Sequence, residues 1–196
     1  MHRRSNVTGL RFRDTRRLPS TIESEVKLRM PGPSEARALV QRIGATPSRP
    51  RHFEDNVLLD DAVSSLAASG RALRVRRTDA AAIVTYKGPR VAGAGVKSRP
   101  EIEVTVDDAD IARQVLEALG YRKVFRYQKY REAFRWRDAE IVVDETPIGT
   151  FLEVEGPIET IHAAAAALGR GTADYVTESY PALFAASGGS GDMVFA

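Results

Sequence analysis

The sequence predicts an α+β domain, a mainly antiparallel sheet with its helices packed outside it. Residues 21–30, TIESEVKLRM, alternate charged with mostly apolar positions, which is the period of a β-strand. Seven further extended segments follow, several joined by hairpin-sized turns that suit antiparallel neighbours. The helical segments fall between strands in a pattern unlike the regular strand–helix alternation of a parallel sheet.

After the first strand, Pro31, Gly32 and Pro33 break the extended run and Ser34 can cap a helix. Ala36, Leu39, Val40 and Ile43 form its apolar stripe, and Gly44 stops it. Residues 51–60 are a second extended segment. ALRVRR (72–77) and AIVTYKG (82–88) pair through a turn at 78–80, and VAGAGVKS (91–98) reads as a flexible glycine-rich loop. RPEIEVTVDD (99–108) alternates again. DADIARQVLEALG (108–120) is a helix with Ile111, Val115, Leu116 and Leu119 apolar. Residues 125–136, 139–146 and 150–156 are three more strands, with hairpin-sized links. Residues 159–169 form a helix, 179–187 a short last one, and GGSGD begins a flexible tail over 188–196. One domain is expected over residues 21–187, with no internal linker.

The net charge of +3 does not point to nucleic acid. Residues 1–20 hold six arginines against Asp14, a net of +5 that leaves −2 for the rest of the chain. The basic character belongs to an N-terminal tail expected to be disordered, a composition also found in transit peptides. No apolar run reaches the roughly 18 residues of a bilayer span, so no membrane partner is expected. There are no cysteines, hence no disulfide or thiolate site, and a reducing cytoplasm is the default compartment.

The charged strand faces carry the chemistry. Glu23, Glu25 and Lys27 share one face with Arg29; Arg74 pairs with Arg76, Thr85 with Lys87, Arg99 with Glu101 and Glu103, Lys129 with Arg131, Val142 with Asp144, and Glu153 with Glu155. The opposite faces carry Val26, Leu28, Val75, Val84, Ile102, Val104, Ile141, Val143, Leu152 and Val154. A solvated sheet face accounts for any one pair, but usually carries Thr, Ser, Gln and Lys rather than repeated like-charge doublets. A sheet closed into a barrel would turn the apolar faces out onto the helices and the charged faces in around an aqueous lumen. Such a lumen needs a ligand of both signs, because buried charges are costly without partners. A polyphosphate with divalent cations meets that need: Arg and Lys take phosphoryl oxygens, and carboxylates take Mg²⁺ or Mn²⁺.

Taken in order, Glu23-x-Glu25-x-Lys27, ALRVRR, TYKG, RPEIEV, YQKYR, VVDE and GTFLEVEG resemble the signature series of the CYTH superfamily, the triphosphate tunnel metalloenzymes. The likeness runs from about Ile22 to Tyr180. It implies an eight-stranded antiparallel closed β-barrel, a tunnel through which a triphosphate threads. By the matching positions, Lys27, Arg74, Arg76, Lys87, Lys129 and Arg131 would hold phosphates, with Arg99 a looser match. Asp144, Glu153 and Glu155 would hold the principal Mg²⁺ or Mn²⁺, and Glu23 and Glu25 a second ion or its water. Lys27 would be a general base if neighbouring cations lowered its pKa.

The resemblance implies hydrolysis of tripolyphosphate, ATP or thiamine triphosphate, by a monomer or homodimer. The alternative is class IV adenylate cyclase chemistry, in which the ribose 3′-hydroxyl of ATP attacks the α-phosphorus. A non-catalytic polyphosphate-binding module would not need Asp144, Glu153 and Glu155. His52 and His162 are isolated, the GAG at 93–95 lacks the setting of a phosphate loop, and Tyr130, Phe134 and Trp136 suit outer packing better than a base-stacking platform.

Overall fold

The structure, a computed structural model, describes residues 21–91 and 95–196. The basic tail expected over 1–20 and the centre of the glycine-rich loop lie outside the described residues. Eight antiparallel strands close into a ring: β1 (Thr21–Met30), β2 (Thr46–Asp60), β3 (Ala72–Arg77), β4 (Ala82–Lys87), β5 (Lys97–Val106), β6 (Arg122–Trp136), β7 (Ala139–Thr146) and β8 (Gly149–Glu155). Around the ring their order is β1-β5-β4-β3-β2-β6-β7-β8, with β8 bonded back to β1. The helices α1 (Pro33–Arg42), α2 (Ser65–Ala68), α3 (Ala109–Ala118), α4 (Ile158–Ala167) and α5 (Tyr180–Ala186) lie outside the sheet or across its end. None of the described helices is long and apolar enough to cross a membrane.

The apolar faces point outward, as the closed arrangement requires. Val26 and Leu28 of β1, Ile141 and Val143 of β7, and Leu152 and Val154 of β8 are fully buried with Ala36 and Val40 of α1 and Ile161 and Ala164 of α4. Phe134 and Trp136 join this outer core, and the Trp136 indole N–H donates to the Ile43 carbonyl at 3.0 Å. Tyr130 is also outside, beneath the Arg51 guanidinium at 3.7 Å. A second outer core gathers Leu59, Leu73, Val75 and Ala82 with Leu66 of α2 and Ala109 of α3. Gly156 ends β8 at φ 152°, where a Cβ would stand 3.1 Å from the Ala139 Cα, so a glycine is required there.

Several boundaries differ from expectation for physical reasons. β2 begins at Thr46, not Arg51, and β6 at Arg122; their pairing has register shifts at Pro47/Arg49, Arg49/His52 and Leu58/Leu59, which interrupt the alternation that would have revealed it. The single-turn α2 is too short to show a period; the Asp60 carboxylate holds it by accepting from the N–H groups of Leu66 at 3.0 Å and Ala67 at 2.9 Å. β5 starts at Lys97, inside the expected loop, because Lys97 and Ser98 pair with Glu25 and Ser24 of β1.

Two expectations about surfaces are corrected. Ile102 and Val104 are exposed, since α3 covers β3 and β4 and leaves that part of β5 bare. Of the α3 stripe, Leu116 packs inward while Ile111, Val115 and Leu119 face solvent. The C-terminal residues, read as a flexible tail, run along β6. Met193 exchanges backbone hydrogen bonds with Arg126 and Gln128 at 2.9 Å each and is buried beside Tyr127, Phe151, Tyr180 and Leu183. Asp192 accepts from the Arg126 N–H at 2.9 Å. The glycine-rich composition of this segment hides one apolar anchor that only a tertiary pocket makes useful.

Candidate functional site

The inward residues of all eight strands surround a cavity of about 970 Å³. Eleven of the twelve residues expected at the site line it: Glu23, Glu25, Lys27, Arg74, Arg76, Lys87, Arg99, Lys129, Arg131, Glu153 and Glu155. The twelfth, Asp144, is fully buried behind Lys129 and Arg131. Strand order gives the lumen two unlike walls. β8, with Glu153 and Glu155, stands four places round the ring from β3, with Arg74 and Arg76, so carboxylates and guanidiniums face each other across the space.

Ion pairs organise the walls. Lys27 Nζ lies 2.9 Å from Glu25 Oε1 and 3.2 Å from Glu153 Oε1. Lys87 Nζ bridges Glu23 at 2.5 Å and Glu101 at 2.8 Å. Arg74 donates to Thr85 Oγ1 at 3.1 Å, and the Thr85 hydroxyl donates to Glu103 at 2.7 Å. Asp144 accepts from Lys129 at 2.8 Å, from the Tyr180 hydroxyl at 2.8 Å, and twice from Arg131. Arg131 also donates to Glu153.

The expected role of Lys27 as a base was conditional on neighbouring cations, and its contacts are instead the carboxylates of Glu25 and Glu153. Burial favours its neutral amine, but the charges of Glu153 and Glu25 outweigh burial and hold its pKa above the ordinary lysine value. This direction favours the ammonium form, which suits binding oxyanions. The lysine with a lowered pKa is Lys97, where burial outweighs the attraction of Glu25. Glu153 and Glu25 are held below the usual carboxylate range, because Lys27 and neighbouring bases overcome burial. Glu155 moves the other way: burial and the nearby Glu23 charge push it up to about 7. Burial and a hydrogen bond with Glu23 raise Glu101 to about 8.

Glu25, Glu155 and Glu140 stand directly opposite one another across β1, β8 and β7. Like charges so placed destabilise the sheet unless a cation offsets them. The donor chemistry there, carboxylate oxygens without imidazole or sulfur, is that of a hard divalent ion such as Mg²⁺ or Mn²⁺. Among the described residues no three such groups converge on a common point, since Lys27 and Arg131 hold Glu25, Asp144 and Glu153 in ion pairs. The residues fit the ion by chemistry and are charge-balanced by bases in this arrangement.

Sequence reasoning missed several lumen groups. Lys97 was hidden in the glycine-rich segment, although its spacing of two from Arg99 was a signal. Glu54 and Asn56 are fully buried on the inward face of β2 and alternate with His52. That alternation is visible in HFEDN but carries no like-charge doublet. Tyr127 and Tyr180 line the cavity as its aromatic groups; the Tyr180 ring lies 5.3 Å from both Lys27 Nζ and Lys129 Nζ.

Comparison with known proteins agrees with this geometry. The CYTH domain profile matches residues 21–180, the whole ring and the start of α5. The chain belongs to the CYTH domain family. A protein of Methanocaldococcus jannaschii, named as a candidate adenylate cyclase, is 30% identical over 142 residues, 72% of this chain and 80% of that protein. Among solved structures, a candidate adenylate cyclase of Vibrio parahaemolyticus superposes with a TM-score of 0.74 at 20% identity, covering 85% of this chain and 99% of that one. A candidate adenylyl cyclase of Hippeastrum, described as having a dominant triphosphatase activity, gives a TM-score of 0.66 at 22% identity over 86% and 97% of the two chains. The CYTH fold thus accounts for the closed ring with its charged residues inside.

Proposed function

We propose that this protein is a metal-dependent triphosphatase that binds a triphosphate along the lumen and hydrolyses its terminal phosphoanhydride. The observation that carries the reading is the pair of facing walls, guanidiniums of β3 against carboxylates of β8, in a cavity reached by Lys27, Lys87, Lys129 and Arg131. Phosphoryl oxygens would be held by Arg74, Arg76, Lys129 and Arg131, with Lys27 and Lys87 neutralising the chain from the β1 and β4 sides. Asp144, Glu153 and Glu155, with Glu23 and Glu25, would hold Mg²⁺ or Mn²⁺. Bound there, the ion would supply charge neutralisation and a more acidic water. The lumen side chains would orient the phosphates and stabilise charge that spreads over their oxygens as the bond breaks. An incoming polyanion would compete for Lys27 and Arg131 and so free the carboxylates they hold.

A second reading, adenylate cyclase, is favoured by the name of the relative at 30% identity. In the Hippeastrum protein a triphosphatase activity dominates despite a cyclase name, which supports ranking hydrolysis first. Incubation with tripolyphosphate, ATP and thiamine triphosphate, each with Mg²⁺ or Mn²⁺, separates the readings. Orthophosphate released from tripolyphosphate faster than any product from ATP supports the triphosphatase. Cyclic AMP with pyrophosphate as the dominant products replaces it with the cyclase. Tight tripolyphosphate binding without turnover would make the domain a binding module.

A further inference from the structure

Glu54 is a carboxylate buried among the bases of the lumen and hydrogen-bonded to none of them. It is fully buried, and neither of its oxygens has a hydrogen-bond partner. Its neighbours are cationic: Arg76 Nη1 at 3.4 Å and His52 Nε2 at 3.5 Å from Oε1, and Lys129 Nζ at 3.6 Å from Oε2. Lys129 is also its direct partner across β2 and β6. Asp144 is the contrast, another fully buried acid on the same lysine, but fixed by four hydrogen bonds from three side chains. A buried anion without hydrogen bonds is costly unless nearby charge or a function offsets it.

The His52 ring explains part of the offset. With Nδ1 placed 2.9 Å from the Pro50 carbonyl, which can only accept, Nδ1 carries a proton. Nε2 then faces Glu54 either as a lone pair, which repels the carboxylate, or as an N–H, which attracts it. The charged imidazolium is the form that suits Glu54.

The geometry points to Glu54 as a positioning and specificity-setting residue, a built-in counter-charge that holds Arg76 and Lys129 in place while weakening the grip of the lumen on polyanions. This rests on the triphosphatase reading and adds to it a reason why products leave a site so rich in cations. Asp144 anchors Arg131 and Lys129 structurally, whereas Glu54 competes electrostatically with any phosphate that those bases bind. The inference gives this acid a sign opposite to that of an ordinary structural counter-ion: its removal tightens binding.

The test is calorimetric titration of inorganic tripolyphosphate, without divalent ions, into the full chain and into Glu54→Gln and Glu54→Asp. Glu54→Gln should bind at least about tenfold more tightly, which is the effect of deleting a like charge as far as about 12 Å from a unit charge of the ligand at an effective dielectric constant of about 20. Glu54→Asp, which withdraws the charge by one methylene, should fall between Glu54→Gln and the natural chain. In turnover with Mg²⁺, Glu54→Gln should lower KM and kcat together, since product is retained. Equal or weaker binding by folded Glu54→Gln overturns the inference, because a structural counter-ion predicts that result. Where Glu54→Gln does not fold, Glu54→Asp decides alone: tighter binding supports the counter-charge, and unchanged or weaker binding overturns it. Failure of the natural chain to bind tripolyphosphate either without divalent ions or with Mg²⁺ overturns the triphosphatase reading itself, and this inference with it; binding only with Mg²⁺ keeps that reading and moves the comparison of variants to Mg²⁺ buffer.

Discussion

Arg131 holds Asp144 by two parallel hydrogen bonds, Nε to Oδ1 at 2.7 Å and Nη2 to Oδ2 at 2.6 Å, from positions directly opposed on β6 and β7. This bidentate geometry is the strong form of an Arg–carboxylate contact. Because Lys129 and Tyr180 share the same carboxylate, Asp144 organises three groups of the basic wall at once.

Asp144→Asn should therefore destabilise the fold more than it alters any single contact. It would leave Lys129 and Arg131 buried beside each other with half of their compensation removed. Breaking a buried pair by neutralising one partner costs about 3–5 kcal/mol. Urea unfolding would measure this, and a loss below about 1 kcal/mol, the range of an exposed pair, would contradict the role given to Asp144.

Glu153→Gln tests the carboxylate wall separately from the fold. The amide keeps the size of the side chain and can still accept from Arg131, while Lys27 retains Glu25 at 2.9 Å. Stability should fall by about 1.5–3 kcal/mol, a lost charge-assisted contact. Metal-dependent turnover of tripolyphosphate should disappear. A folded Glu153→Gln protein with full Mg²⁺-dependent activity would show that Glu153 does not hold the ion.

The pH dependence of stability should carry a component from His52. The Glu54 carboxylate, 3.5 Å from Nε2, raises its pKa in the folded state above the ordinary 6.5, more than burial lowers it. A raised histidine value means the folded state binds the proton more tightly than the unfolded chain does. This contribution is complete below pH 6.5 and is lost as pH rises through the folded value. Thermal unfolding followed across this range should show the decline in the natural chain and a shallower one in His52→Gln. Identical pH slopes for the two proteins would remove the His52–Glu54 pairing.

Much of the ring was legible in the sequence because its strands repeat one pattern. TIESEVKLRM, ALRVRR and TFLEVEG keep charges and apolar side chains strictly apart, so each strand states its two faces without reference to the rest of the chain. Repeated like-charge doublets, with an apolar face large enough to seat helices, then leave inward charges as the consistent arrangement. Where pairing is irregular, the signal fails: the register shifts of β2 against β6 hid the first part of that strand. The outer faces of β5 and α3 read as core and proved exposed, because alternation says which residues share a face but not whether another element covers it.

The sequence by itself determined which side chains share a strand face, since a two-residue period is a property of the strand alone. Only the tertiary structure decided how those side chains pair: that Lys27 lies between Glu25 and Glu153, that the pKa of Glu155 is raised while that of Glu153 is lowered, and that Glu54 is enclosed by Arg76, Lys129 and His52. The physical reason is that charge interactions depend on distance and burial across the lumen. Residues far apart in the chain acquire those distances only when β8 closes on β1.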